Sequence, residues 1–136
     1  MTRTILVVDD QESVRKLVSI IVRSAGYHVI EAVDGEDALI QVAGKNISCD
    51  MVITDLRMPK MDGVEFVRRL RLHPEYRLTP VIMLSSEFLG NRIKDAAEAG
   101  ISDWVTKPLI RHKLLNCIKG AVEYDGAPGR PAVAPA

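Results

Sequence analysis

Neither sign of charge predominates in this chain: 18 Lys and Arg stand against 18 Asp and Glu in 136 residues. A sequence-independent nucleic-acid binder needs a cationic surplus to displace counterions from phosphates, so the balance argues against that class. The chain also lacks a run of about eighteen apolar residues, as a bilayer span needs. Met1-Thr2-Arg3 leads straight into a strand-like pattern without a cleavable signal. The expectation is a soluble, cytoplasmic protein with no membrane insertion and no direct contact with nucleic acid. Cysteine is scarce: Cys49 and Cys117 are far apart and form no CxxC or Cys/His ligand spacing. No disulfide framework or zinc site is indicated, and both read as small apolar residues. Nucleotide fingerprints are missing too, since no GxGxxG follows the first strand and GxxxxGK[ST] occurs nowhere.

What the chain does have is a rhythm, short apolar runs alternating five times with longer amphipathic segments, within a length that suits one domain. Such alternation predicts an α/β fold, a parallel sheet covered by helices in (βα)5 order. Strands are expected at Ile5–Val8, His28–Ala32, Met51–Thr54, Val81–Leu84 and around Trp104-Val105. The first helix carries Val14, Leu17, Val18, Ile21, Val22 and Ala25 at helical spacing and stops at Gly26. Asp34 caps the second, which packs Ala38, Leu39 and Val42 and is closed by Gly44. Asp62, three residues before Glu65, starts a third with Val64, Phe66, Val67 and Leu70, ending before Pro74. The fourth, about Asn91 to Ala99, offers only Ile93, Ala96, Ala97 and Ala99 and is expected to be the most mobile. The fifth buries Leu114, Leu115, Ile118, Ala121 and Val122. The domain is expected over residues 1–125. Residues 126–136, with three of the seven prolines, read as a flexible tail or linker stub.

In an open parallel sheet, ligands sit outside the carboxyl ends of the strands. The residues following the strands here are Asp9 and Asp10, Asp55, Ser85 and Lys107. Three carboxylates brought together are costly, because two like charges about 4 Å apart repel by roughly 4 kcal/mol at an effective dielectric near 20. Lys107 offsets part of this. The remaining oxygen ligands suit a hard divalent ion that keeps several waters, Mg²⁺ before Ca²⁺. A carboxylate with Mg²⁺, an ammonium and a hydroxyl around it has the parts for acyl-phosphate formation. Asp55, at the end of the strand expected at the centre, is the candidate nucleophile. A haloacid-dehalogenase-type phosphatase would want a second Asp two residues later, where this chain has Arg57.

With these residues the chain resembles the receiver domain of two-component response regulators, over about residues 3 to 124. The resemblance rests on Ile5-Leu6-Val7-Val8-Asp9-Asp10, on Asp34-Gly35-Glu36-Asp37-Ala38-Leu39, and on Thr54-Asp55-Leu56-Arg57-Met58-Pro59-Lys60-Met61-Asp62-Gly63. Ser85 and Lys107-Pro108 complete it. It implies a flavodoxin-like doubly wound sheet in strand order 2-1-3-4-5. It further implies that Asp55 accepts a phosphoryl group from a sensor histidine kinase or phosphotransfer protein. Asp10 and Asp55 would ligate Mg²⁺, with Asp9 acting directly or through water and the carbonyl of Arg57 completing the set. Ser85 and Lys107 would bind phosphoryl oxygens, and the Lys107-Pro108 peptide would be cis.

Trp104 takes the aromatic switch position, where relatives more often carry Tyr or Phe, and is either a switch or a packed indole. Arg57 and Glu87, two residues past Asp55 and Ser85, are either a gate that impedes the attacking water or two solvated side chains. The protein would be a signalling switch, catalysing only its own phosphorylation and dephosphorylation. It would signal as a monomer or phosphorylation-dependent dimer through a face made by the fourth helix, fifth strand and fifth helix, around Ile101, Trp104 and Arg111. A receiver cut from a larger regulator, a small Mg²⁺-dependent phosphatase and a pseudo-receiver remain as alternatives.

Overall fold

The computed structural model of the chain describes residues 2–44, 47–86 and 92–124. Five strands, β1 (Thr4–Val8), β2 (His28–Ala32), β3 (Met51–Asp55), β4 (Val81–Ser85) and β5 (Asp103–Thr106), alternate with five helices. These are α1 (Glu12–Ser24), α2 (Gly35–Ala43), α3 (Gly63–Leu70), α4 (Ile93–Ala99) and α5 (Arg111–Tyr124). A 3-10 turn at Pro74–Tyr76 precedes β4. The strands pair in parallel in the order β2-β1-β3-β4-β5, as the resemblance implied. The reversal of strand order falls between β1 and β3, where Asp9 and Asp55 are carried.

The side-chain period of two decides which face each residue serves. Leu6, Val8, Val52 and Met83 face one layer with Ala38 and Val42 of α2, Phe66, Val67 and Leu70 of α3, and Ala96 and Ala99 of α4. Ile5, Val7, Ile53, Ile82 and Leu84 face the other, with Val18 and Val22 of α1 and Leu114, Ile118 and Ala121 of α5. Both cysteines are free and sit against opposite layers, and burial pushes each thiol up to about 12. Among the described residues no helix is long and apolar enough to cross a membrane.

The local signals hold with small corrections. Asp34 caps α2 by accepting from the Asp37 amide at 2.8 Å, and Asp62 caps α3 by accepting from the Glu65 amide at 2.9 Å. Gly26, at φ +96°, supplies the left-handed turn after α1. Gly44 closes α2 as expected, as its C-cap and with a right-handed φ of −69°. Leu17 is exposed, because α1 buries the narrower stripe of Val18, Ile21 and Val22. Asp55 and Ser85 are the last paired residues of their strands rather than the first beyond them. The ladder runs on past both, through Leu56 N–H to Leu84 O at 2.9 Å and Lys107 N–H to Ser85 O at 2.8 Å.

In α4, Ala96 and Ala99 are buried but Ala97 faces solvent. Asn91 and residues 125–136, the expected tail included, lie outside the described residues. Polar groups of α3 and its flanks also tie to α4 and the residues around it. Arg68 pairs with Asp95 at 3.4 Å, and Arg71 donates to the carbonyls of Ala99 and Gly100 at 3.2 and 2.8 Å. Arg92 Nη1 reaches Asp62 Oδ2 at 2.7 Å.

The Asp62–Arg92 pair carries a pH-dependent prediction. Burial pushes the Asp62 carboxyl up, but the Arg92 guanidinium and the amides of the cap outweigh it and hold it below the ordinary 3.8. A carboxyl lowered in the folded state adds stability above its unfolded pKa and loses it as pH falls through the folded one. Asp62→Asn keeps a cap oxygen and removes the charge. It is expected to cost about 0.5–1 kcal/mol near neutral pH, with the deficit closing as pH drops below 3.8, in urea unfolding at a series of pH values.

Candidate functional site

At the carboxyl edge of the sheet, β1, β3 and β5 deliver their chemistry to one place. Carboxylate oxygens of Asp9, Asp10 and Asp55 all lie within 4.8 Å of one another. Asp9 and Asp55 are buried, at 0% and 5% exposure, and Asp10 is exposed. Lys107, the residue after β5, places Nζ 3.0 Å from Asp55 Oδ1 and 3.9 Å from Asp9 Oδ2. The Lys107-Pro108 peptide is cis. Asp10, Gln11, Asp55, Arg57, Ser85 and Lys107 are among the residues lining a cavity of about 380 Å³ over this cluster.

Asp9 is the most constrained member. Its amide donates to Ala32 O of β2 at 3.2 Å, and its Oδ1 accepts from the Gln11 amide at 2.9 Å. Its Oδ2 is buried and has no hydrogen-bond donor among the described residues. Burial raises its pKa, with the charges of Asp55 and Asp10 adding to the effect, against the Gln11 amide and Lys107. One ammonium against three carboxylates leaves a negative excess. Together with the orphaned buried oxygen, that donor set fits a hard divalent cation held by oxygen ligands.

The Asp55 backbone is gripped from two sides. Thr54 Oγ1 donates to the Asp55 carbonyl at 3.0 Å. Gly63, the first residue of α3, donates its amide to Leu56 O at 2.7 Å and lies against the Asp55 carbonyl so closely that a Cβ there would collide with it. Between them, Lys60 takes a left-handed φ of +71°, with the Met61 amide donating to Pro59 O at 2.7 Å, a γ-turn-like closure. These supports were not picked out from the sequence. The Asp62-Gly63 pair was the available signal for the close approach.

Other expected residues divide. Ser85 is 3% exposed at the rim of the same cavity. Trp104 is partly buried, opposite Met83 in the ladder, and packs against the layer of α2, α3 and α4. Ile101, expected on the signalling face, is 1% exposed and belongs to the core, because it follows Gly100 back beneath the sheet layer. Arg111 is exposed and donates to Ser24 Oγ of α1 at 2.6 Å. Arg57 is exposed at the cavity mouth, and Glu87 lies outside the described residues. His28, His73 and His112 stand in separate parts of the chain and do not line the cavity.

Comparison with known proteins gives a consistent picture. The family model for the response regulator receiver domain matches residues 5–119. Protein PilG of Pseudomonas aeruginosa is 31% identical over 121 residues, 87% of this chain and 86% of PilG. The structure of the chemotaxis response regulator CheY4 of Vibrio cholerae is similar with a TM-score of 0.81 at 33% identity, covering 89% of this chain and 99% of that one. The receiver domain of the sensor histidine kinase PA1611 from P. aeruginosa has a magnesium ion coordinated in its active site cleft. It is similar with a TM-score of 0.79 at 26% identity, over 90% of this chain and 99% of that one. Other curated relatives are much longer, and this chain spans 16% and 47% of two of them.

Proposed function

The chain belongs to the response regulator receiver domain family, and we propose that it is a signalling switch in which Asp55 accepts a phosphoryl group in a Mg²⁺-dependent reaction. The donor is the phosphohistidine of a sensor histidine kinase or phosphotransfer protein, met in the cytoplasm. The observation that carries this reading is the meeting of three carboxylates within 4.8 Å with an ammonium 3.0 Å from the one at the end of β3.

Asp10 and Asp55 would hold Mg²⁺, with Asp9 directly or through water and the Arg57 carbonyl. When bound, the ion supplies charge neutralisation for the phosphoryl oxygens. A carboxylate oxygen of Asp55 attacks phosphorus, forming the O–P bond as the N–P bond to the donor imidazole breaks. The imidazole keeps the bonding electron pair and takes a proton from solvent. The Lys107 ammonium moves from the free carboxylate to a phosphoryl oxygen, and the Ser85 hydroxyl donates to another. Drawing these two inward pulls on the ends of β4 and β5 and so repacks the face of α4, β5 and α5, with Trp104 as the side chain that can report it. Downstream partners read that face, as a monomer or a phosphorylation-dependent dimer.

A second reading, a receiver working within a larger regulator, is favoured by the relatives of which this chain spans only a fraction.

Intact mass after incubation with acetyl phosphate tests the chemistry. One phosphoryl adduct is expected for the wild type with Mg²⁺, and none without the ion or in Asp55→Asn. Absence of the adduct in the wild type, with Mg²⁺ binding confirmed and rapid turnover excluded, would overturn the phosphoacceptor reading in favour of a pseudo-receiver.

A further inference from the structure

The second turn of α1 carries a guanidinium with no part in the chemistry above, and its contacts lead directly to the acidic cluster. Arg15 Nη1 donates to the backbone carbonyl of Asp9 at 3.0 Å. Its Nε donates to Glu31 Oε1 on β2, also at 3.0 Å. The Arg15 side chain is only 11% exposed and that of Glu31 17%. Glu31 is in turn clasped by Lys16 at 3.2 Å and approached by Arg23 at 3.7 Å. Burial pushes the Glu31 carboxyl up, but the hydrogen bonds and charges of Lys16 and Arg15 outweigh it, and the group is held ionised below its ordinary 4.5. A charged anchor on β2 therefore fixes a rigid planar donor, and that donor fixes the peptide at the end of β1.

With Arg15 in place, three of the four polar handles of Asp9 have partners. The amide is on Ala32 O, the carbonyl on Arg15 and Oδ1 on the Gln11 amide, while Oδ2 remains without a donor beside Asp10, Asp55 and Lys107. Mg²⁺ demands near-ideal octahedral geometry and dehydrates reluctantly, so its affinity responds to small displacements of a carboxylate. Groups that orient the ligands of a metal commonly change its affinity by 10–100-fold when removed.

We propose that Arg15, oriented by Glu31, is a positioning residue that presets the Asp9 carboxylate for Mg²⁺, an inference that rests on the Mg²⁺ site of the proposed function. It has a sign that separates it from simple electrostatics. A cation beside an acidic pocket repels Mg²⁺, so deleting its charge would by itself tighten binding. Loss of positioning weakens it instead.

The experiment is a Mg²⁺ titration followed by the amide NMR shifts of residues 9–11 and 55–57, without any phosphodonor. Arg15→Ala is expected to weaken binding about tenfold. Arg15→Lys, which keeps the charge but cannot serve both acceptors with a rigid fork, is expected to restore part of it. Glu31→Gln should give an intermediate loss, and Arg23→Ala, which touches Glu31 but not Asp9, should bind as the wild type does. Equal or tighter binding by a folded Arg15→Ala overturns the inference and leaves the Mg²⁺ site standing. If Arg15→Ala does not fold, unchanged binding by Glu31→Gln overturns it. A wild type that binds no Mg²⁺ removes the site reading and the inference with it.

Discussion

Gly63→Ala is expected to lower stability by about 2–3 kcal/mol and to slow phosphoryl uptake at Asp55, although the added group is one methyl. A Cβ at this position would meet the Asp55 carbonyl in direct collision, Met83 Sδ at 2.7 Å and Leu56 Cα at 3.1 Å. Met83 can rotate away, but two of the three obstacles are backbone, and that backbone carries Asp55, the proposed phosphoacceptor. Relief requires α3 to withdraw or the end of β3 to shift. Either movement strains the Gly63 amide bond to Leu56 O and the Thr54 bond to the Asp55 carbonyl. Urea unfolding should show a lower midpoint with an unchanged slope, and adduct formation from acetyl phosphate should be slower at saturating Mg²⁺. Gly120→Ala is the control: inside α5, with open space around its Cβ position and no positive φ, it should stabilise by about 0.5–1 kcal/mol through helix propensity. A Gly63→Ala protein as stable and as readily phosphorylated as the wild type would show that the loop has slack the packing does not suggest.

The contrast between those glycines shows where sequence reasoning reaches and where it stops. Periodicity placed all five strands and helices, because a parallel sheet buried on both faces needs continuous apolar runs and its helices need one apolar stripe each. Asp34 and Asp62 announced their helices through a local rule, a side-chain oxygen three residues before an amide. Asp9, Asp10, Asp55 and Lys107 were legible as a group because parallel strands must bring their ends to one edge. What no local rule carries is a contact across elements. Gly63 follows the capping Asp62 and Gly120 does not, but only the distance from α3 to the end of β3 shows that a methyl is refused at the first and accepted at the second. Leu17 and Ala97 fit the helical period but fall outside the stripe that the fold buries. Arg15, Glu31, Arg71 and Arg92 read as ordinary surface charges until the fold sets acceptors beside them. Ile101 followed a glycine at the end of a weak helix, and nothing nearby in sequence shows that the chain there turns under the core.

Asp9→Asn should make the Mg²⁺-free protein more stable, by about 1–2 kcal/mol, while weakening Mg²⁺ binding at least tenfold. Three carboxylates within 4.8 Å repel, and a like-charge pair at about 4 Å costs roughly 4 kcal/mol at an effective dielectric near 20, of which Lys107 offsets only part. Asp9 bears most of the cost, since it is fully buried and its Oδ2 lacks a donor. Its raised pKa expresses the same preference of the fold for a neutral group there. The amide of Asn keeps an oxygen for the Gln11 N–H and turns the orphaned position into a donor towards its acidic neighbours. The substitution thus relieves a strain that only a cation otherwise relieves. Binding of Mg²⁺ to the wild type adds RT ln(1 + [L]/Kd), about 2.7 kcal/mol at a hundredfold excess over Kd, and the variant gains far less. The two urea midpoints should therefore cross as Mg²⁺ is raised from EDTA to saturation, with the variant ahead at the start and the wild type ahead at the end. A variant less stable than the wild type in EDTA would mean that the carboxylates are already neutralised by the protein, and that the cluster is not held in readiness for an ion.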